Sequence, residues 1–163
     1  MPAGNTFEAI ATQTLGSATA SVDFTSIPGT YTDLILIANV KRTAGSDIEI
    51  QLNGDTASNY SFTYIYGTGS TAGSGRASNQ TKGNIGYAGT TNFTTQIVQF
   101  MNYSNTTTNK TFIGRNSPAD AGDVSALVNL YRSTSAITSI LLDPLSGNFD
   151  TGSTFSLYGI ASA

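Results

Sequence analysis

The stretch DIEIQLNGD, residues 47–55, decides the fold prediction for the whole chain. Ile48, Ile50 and Leu52 alternate with polar residues, which is the pattern of a strand that buries one face and exposes the other. An Asn-Gly pair follows directly, and this pair is a strong signal for the tight turn that joins two antiparallel strands. The stretch therefore predicts an antiparallel sheet with one face in a core.

Similar units of strand and turn follow one another along the rest of the chain. Thr, Ser and Asn make up about a third of the 163 residues, and strong helix formers at helical spacing are scarce. β-Branched and aromatic residues favour strands, whereas Gly, Asn and Ser favour turns. We predict about nine or ten short strands in an all-β, jelly-roll-like two-sheet antiparallel β-sandwich, with an immunoglobulin-like sandwich as the alternative.

The chain has the length of one typical domain. We assign residues 7–163 to a single β-sandwich domain and residues 1–6 to a short N-terminal arm. The Gly/Ser-rich stretch at 67–83 predicts either a long loop or an irregular strand. The first residues contain no basic segment followed by a long apolar run, so no secretory signal is predicted and folding in the host cytoplasm is expected.

Composition excludes several classes of function. The chain contains no Cys and no His, which removes thiolate metal sites and the commonest general base. The net charge is −3 with only 10% charged residues, so no nucleic-acid partner is expected. No apolar run approaches the ~20 residues that span a bilayer, so no membrane partner is expected either. We predict a protein that is not an enzyme and has no cofactor.

Several strands are apolar on both faces, although a strand of a free-standing sandwich has one face in water. In DLILIANVK, Ile35 and Ile37 lie opposite Leu34 and Leu36. The second face needs a cover, which is either the chain's own N-terminal segment or residues 67–83, or else a neighbouring subunit. The residues predicted to line a subunit interface are Ile35, Ile37, Ile97, Met101, Tyr103, Leu141, Tyr158 and Ile160.

Acidic residues occur in pairs without a recognisable catalytic or metal-binding motif. Asp47 and Glu49 share the polar side of an alternating strand, which favours a solvated face. Asp120 and Asp123 lie in one loop and Asp150 in another, but neither loop has the full acidic spacing of a calcium site. We therefore predict no metal ligands.

Three tyrosines in the middle of the chain are candidates for sugar contacts. Tyr64 and Tyr66 share a strand face, and Tyr87 belongs to the same Asn- and Gly-rich region. Tyrosine presents an apolar ring with a polar end, which suits a sugar-binding surface as well as the rim of a core. Both interpretations remain open from the sequence.

Four segments resemble a family of tailed-phage virion structural proteins. They cover nearly the whole chain in the same order, and the most specific parts are SIPGTYTDL and STFSLYGI. The four segments are EAIATQTLGSATASVDFTSIPGTYTDLILIANV (8–40), QLNGDTASNYSFTYIYG (51–67), QFMNYSNTTTNKT (99–111) and SGNFDTGSTFSLYGIASA (146–163).

This resemblance implies a β-sandwich module on the outside of a virion, usually in a homotrimer or a larger symmetric array. A chain that is almost only the β module favours a capsid decoration or cement protein. Its expected partners are further copies of itself and the major capsid protein or other virion proteins. The alternative is a tail-fibre or tail-tip receptor-binding module that contacts a host surface glycan through Tyr64, Tyr66 and Tyr87.

Overall fold

A computed structural model describes residues 6–161, which form two sheets packed face to face. Residues 1–5 of the predicted N-terminal arm lie outside the described residues. The strands are β1 (Phe7–Thr14), β2 (Val22–Phe24), β3 (Asp33–Val40), β4 (Ser46–Leu52), β5 (Tyr60–Thr68), β6 (Ala72–Gln80), β7 (Gly83–Ala88), β8 (Thr94–Met101), β9 (Lys110–Asn116), β10 (Asp123–Tyr131), β11 (Ile140–Pro144) and β12 (Thr154–Ile160).

The larger sheet contains eight strands in the order β1-β12-β3-β8-β9-β10-β5-β6, and the smaller contains four in the order β2-β11-β4-β7. Every strand pair is antiparallel. The predicted all-β, jelly-roll-like two-sheet sandwich is confirmed. Within residues 6–161 there is no α-helix, and hence none long and apolar enough to cross a membrane.

The chain forms more strands than the pattern predicted, because part of the Gly/Ser-rich stretch at 67–83 is a strand. Gly73, Gly75 and Ala77 of β6 face the same side as the aromatic residues of β5. Small residues at these positions leave room for the large side chains beside them. The irregular-strand interpretation of this stretch is therefore correct and the loop interpretation is wrong.

The core lies between the two sheets and follows the period-two pattern of the sequence. Leu34 and Leu36 of β3 and Phe155 and Leu157 of β12 are fully buried on the inner face of the larger sheet. Ile48, Ile50 and Leu52 of the smaller sheet are equally buried and face them. Burial of these side chains supplies the main free energy that holds the two sheets together.

A buried side-chain amide links the two sheets directly. Asn129 of β10 is fully buried. Its Oδ1 accepts a hydrogen bond from the backbone N–H of Asn84 on β7 at 2.9 Å, and its Nδ2 donates to the Asn84 carbonyl at 2.8 Å. The side chain thus pairs with β7 as a neighbouring strand would, and it fixes β7 against the larger sheet.

The loop between β4 and β5 is ordered by a single carboxylate. Asp55 accepts hydrogen bonds from the Asn59 side chain and the Ala57 backbone N–H, both at 2.8 Å, and from the Tyr131 hydroxyl at 3.0 Å. These bonds favour the charged carboxylate, so the Asn59 amide and then the Ala57 N–H hold the pKa of Asp55 below its usual value.

We expect this carboxylate to contribute to acid sensitivity. Because its folded-state pKa is lowered, its stabilisation is present above the usual Asp value of about 4 and is lost as the pH falls through the lowered pKa. Asp55→Asn should therefore give a flatter melting temperature between roughly pH 5 and pH 2 than the parent protein, measured by circular dichroism. Parallel curves for the two proteins would contradict this assignment.

Candidate functional site

The first candidate surface is the outer face, by which we mean the side of the larger sheet that points away from the smaller sheet. The predicted interface residues on β3, β8 and β12 all lie on it. Ile37 of β3 stands opposite Ile97 of β8, and Ile35 stands opposite Tyr158 of β12. The six predicted residues found here are Ile35, Ile37, Ile97, Met101, Tyr158 and Ile160.

The outer face extends over strands whose contribution the sequence analysis missed. Ile113 of β9 stands opposite Val128 of β10, and Ala126 stands opposite Ile65 of β5. Their apolar–polar alternation was visible in the sequence, but nothing there showed which side faces the solvent. The most exposed aliphatic side chains on this face are Ile65 (62%), Val124 (59%), Val128 (50%), Ile37 (40%), Ile113 (40%) and Leu130 (37%).

The two segments that could have covered this face extend the sheet instead. β1 pairs with β12 at one edge, and β6 pairs with β5 at the other. Both therefore lie within the sheet rather than over it. Cover by the described N-terminal segment or by residues 67–83 is excluded, which leaves the outer face open in the described chain.

The prediction for Tyr103 is wrong, and Leu141 lies on a different surface from the other predicted residues. β8 ends at Met101, and Asn102 then adopts a left-handed conformation with φ of 51°. This turn breaks the alternation and directs Tyr103 into the core, where it is fully buried and its hydroxyl donates to the Pro28 carbonyl. Leu141 lies on β11 of the smaller sheet, so it is not part of the outer face.

The second candidate surface is the tyrosine groove, on the opposite side of the larger sheet. The smaller sheet ends at β7, and β5 and β6 extend beyond it. The inner face of β5 is therefore open beside β7, and Tyr64 and Tyr66 meet Tyr87 there. The resulting cavity has a volume of about 320 Å³, and its lining also includes Asp47, Asn84, Gly86, Ala121, Asp123, Ser125 and Leu127.

Glycines on β6 allow the two tyrosines of β5 to lie close to the sheet. Gly75 is paired with Tyr64 and Gly73 with Tyr66. A Cβ atom at Gly73 would lie 2.6 Å from the Tyr66 hydroxyl oxygen, and one at Gly75 would lie 2.8 Å from Tyr64 Cε1. The ring centroids of Tyr64 and Tyr66 are 6.3 Å apart with an angle of 34° between their planes. The rings therefore occupy space that any side chain on β6 would fill.

Polar groups surround these rings. Asn84 Nδ2 donates to Asp47 Oδ2 at 2.7 Å, so the strand that we interpreted as a solvated acidic face contributes one carboxylate to the groove. Ser125 donates its hydroxyl to Asn116 Oδ1. Asp123 lies at the start of β10, and its Oδ1 is buried without a hydrogen-bond partner. These residues come from four strands that are distant in the sequence, so no sequence pattern links them to the tyrosines.

The remaining acidic residues hold the structure together elsewhere. Glu49 and Asp143 both contact Lys82, at 3.2 Å and 2.5 Å. Asp120 accepts backbone hydrogen bonds from Thr91 and Asn92, and these bonds hold its pKa below the usual value. Among residues 6–161, no group of three or more acidic side chains could hold a metal ion.

Comparison with known proteins gives a class of fold and no family. No family model and no curated protein matches the sequence. An exo-inulinase from Aspergillus awamori is similar in structure with a TM-score of 0.51 and 13% identity, over 94% of this chain and 29% of the inulinase chain. The chain thus spans less than a third of that protein, and this likeness shows a shared β-sandwich fold alone.

Two galectins are also similar at lower TM-scores. A Caenorhabditis elegans galectin has a TM-score of 0.37 and 9% identity, over 93% of this chain and 96% of its own. A toad ovary galectin, solved in complex with thio-digalactose, has a TM-score of 0.39 and 12% identity, over 85% of this chain and 99% of its own. The class that the structure defines is a two-sheet antiparallel β-sandwich.

Proposed function

We propose that this chain is a non-enzymatic virion structural protein of a tailed phage, a capsid decoration or cement protein, that assembles as a homotrimer through its outer face. The observation that carries the proposal is the row of exposed aliphatic side chains across the larger sheet, from Ile37 on β3 to Ile65 on β5. Proteins that act as monomers rarely expose contiguous apolar patches of more than a few hundred Å². The resemblance to phage virion proteins supports the virion location.

The size of the outer face is that of a stable interface. Eight strands at a spacing of about 4.8 Å, each about seven residues long, give a face of roughly 35 Å by 23 Å, or about 800 Å². A standard protein–protein interface buries about this area on each partner. In a homotrimer with threefold symmetry, each contact joins two different parts of the surface, so one part of the outer face would meet another part of that face on the next copy.

Few charged side chains lie on the outer face. Arg115 lies near its centre, whereas Arg76 and Asp33 lie toward its sides. Apolar burial, which screening by salt does not weaken, would therefore provide most of the binding free energy.

We expect the protein to be a trimer by multi-angle light scattering at micromolar concentration, and to remain one in about 1 M NaCl. Salt screens ion pairs between exposed charges but does not weaken apolar contacts. A monomer at every concentration would contradict assembly through this face. Dissociation by salt alone would contradict the apolar origin of the contact.

The virion location has a separate test. Purified particles of the phage that encodes this chain should contain it in stoichiometric amounts by quantitative mass spectrometry. Cryo-electron microscopy should then place its trimers on the capsid in contact with the major capsid protein. Absence from the particles would contradict the virion assignment while leaving the assembly proposal standing.

A second candidate function, a tail-fibre or tail-tip receptor-binding module, is favoured by one specific observation. The three tyrosines that were candidates for sugar contacts come together in one groove. This groove lies on the inner side of the larger sheet, so it stays open when the outer face is covered.

A further inference from the structure

We propose that the tyrosine groove binds a neutral saccharide and discriminates against acidic sugars. This inference names the ligand class of the second candidate function and rests on that function, but it does not depend on the homotrimer. It is carried by three features of the groove, which are the exposed aromatic rings, the surrounding hydrogen-bonding groups and the sign of the charge.

The aromatic rings provide the apolar contact that a sugar ring requires. The two faces of a pyranose carry C–H groups, which pack against aromatic rings while the hydroxyl groups point to the sides. Tyr66 is 37% exposed, and Tyr64 is partly buried beside it. Phe62 continues the series along β5, with its ring centroid 6.5 Å from that of Tyr64. The series therefore forms an aromatic platform on which a ring could stack.

The platform is held in place before any ligand binds. The rings of Tyr66 and Tyr64 pack closely against the backbone at Gly73 and Gly75, where there is no side chain. This close packing restricts the rotation of the two rings. On the other side, the Tyr87 carbonyl accepts hydrogen bonds from Gln96 Nε2 at 2.9 Å and Asn116 Nδ2 at 2.8 Å, which fix the backbone of β7. A site that is already ordered loses less entropy on binding.

The groove offers both hydrogen-bond donors and acceptors to sugar hydroxyl groups, and its two carboxylates are the strongest acceptors. Asp47 has carboxylate lone pairs beyond the one used by Asn84. Asp123 Oδ1 has no partner in the described chain, and a buried acceptor without a donor is unfavourable. Rotation of this carboxylate toward the groove would let a sugar hydroxyl supply the missing donor. Hydrogen bonds from hydroxyl groups to a carboxylate are stronger than those between neutral groups.

The charge of the groove determines which sugars it accepts. Asp47 and Asp123 line it, and among its described lining residues there is no Lys or Arg. An acidic sugar would bring a third carboxylate next to these two without a cation to pair with it. A cavity of about 320 Å³ is at the small end of ligand sites, which suits one or two sugar rings. We therefore infer a short neutral segment of a glycan as the ligand.

The experiment is a glycan array in which neutral oligosaccharides are printed beside their sialylated counterparts, followed by calorimetric titration with the strongest neutral oligosaccharide. We expect saturable binding to a neutral glycan and at least tenfold weaker binding to its sialylated form.

Tyr66→Ala should weaken the binding about tenfold through the lost ring contact. Asp123→Asn should also weaken it. Phe93→Ala is the matched control, because Phe93 is a similarly exposed aromatic residue (41%) outside the groove.

Each outcome bears on one proposal. Saturable binding that is lost in Tyr66→Ala and kept in Phe93→Ala supports the groove. Binding to no neutral glycan, preference for acidic glycans, or full binding by a folded Tyr66→Ala variant would overturn it. If Tyr66→Ala lowers the melting temperature, Asp123→Asn decides, because it keeps the size and shape of the side chain. The receptor role is tested separately, because the free glycan should then inhibit phage adsorption, and binding without such inhibition would contradict that role alone.

Discussion

Val128→Asp should convert the trimer to a monomer while leaving the fold intact. Val128 lies on β10 near the middle of the outer face, opposite Ile113, and is 50% exposed. In the isolated chain the new carboxylate would be in water, so stability should fall by only about 1 kcal/mol, through the lower strand propensity of Asp. In the trimer the new carboxylate would lose its contact with water, and desolvation of a charge costs several kcal/mol for each copy. The mass in solution, measured by light scattering, should fall to that of one chain.

The control for this prediction is Leu145→Asp. Leu145 follows β11 in the smaller sheet and is 63% exposed, so the same aliphatic-to-acid change occurs away from the outer face. It should leave the mass unchanged. A Val128→Asp variant that remains a trimer, or a Leu145→Asp variant that also dissociates, would place the contact on another surface.

Alternation in the sequence was sufficient to predict most of the strands and their two faces. In β3, Leu34 and Leu36 are buried and Ile35 and Ile37 point outward, as the period of two requires. The reason is that neighbouring side chains in an extended strand must point to opposite sides. The same argument correctly places Tyr158 on the outer side of β12.

Alternation fails where the backbone leaves the extended conformation. Tyr103 would share a face with Met101 if the strand continued, but the left-handed Asn102 between them reverses its direction. A left-handed Asn is uncommon and its position is not evident from the sequence. Leu141 shows a different limit, because the alternation predicts that it points away from Ile140 and Leu142 but does not show to which sheet the strand belongs. Sheet order depends on pairing between distant segments, which one sequence does not reveal.

The groove was predictable only in part, because it too depends on pairing between distant segments. Tyr64 and Tyr66 share a face because they are two residues apart on β5. The folded chain brings three further residues to these tyrosines. Asp123 lies there because β10 pairs with β5, and Asn84 and Tyr87 lie there because β7 is the last strand of the smaller sheet. No sequence pattern indicates that an oxygen of Asp123 lacks a hydrogen-bond partner, because this depends on which groups the fold places around it.

Asn129→Leu is expected to cause the largest loss of stability among these variants. Leucine has a similar size but cannot pair with the Asn84 N–H and C=O groups. Both groups lie in a buried part of β7, and each unpaired buried group costs about 1–3 kcal/mol, so the free energy of unfolding should fall by about 2–6 kcal/mol. Urea denaturation at one fixed protein concentration would measure this change, because oligomer stability depends on concentration.

Asn109→Leu is the matched control, since it makes the same substitution at an exposed loop position just before β9. It should change the free energy of unfolding by no more than about 0.5 kcal/mol. Equal effects of the two substitutions would show that the amide link is not what holds β7. If the link does hold β7, Asn129→Leu should also weaken glycan binding at temperatures where the protein stays folded, because β7 carries Asn84 and Tyr87 into the groove.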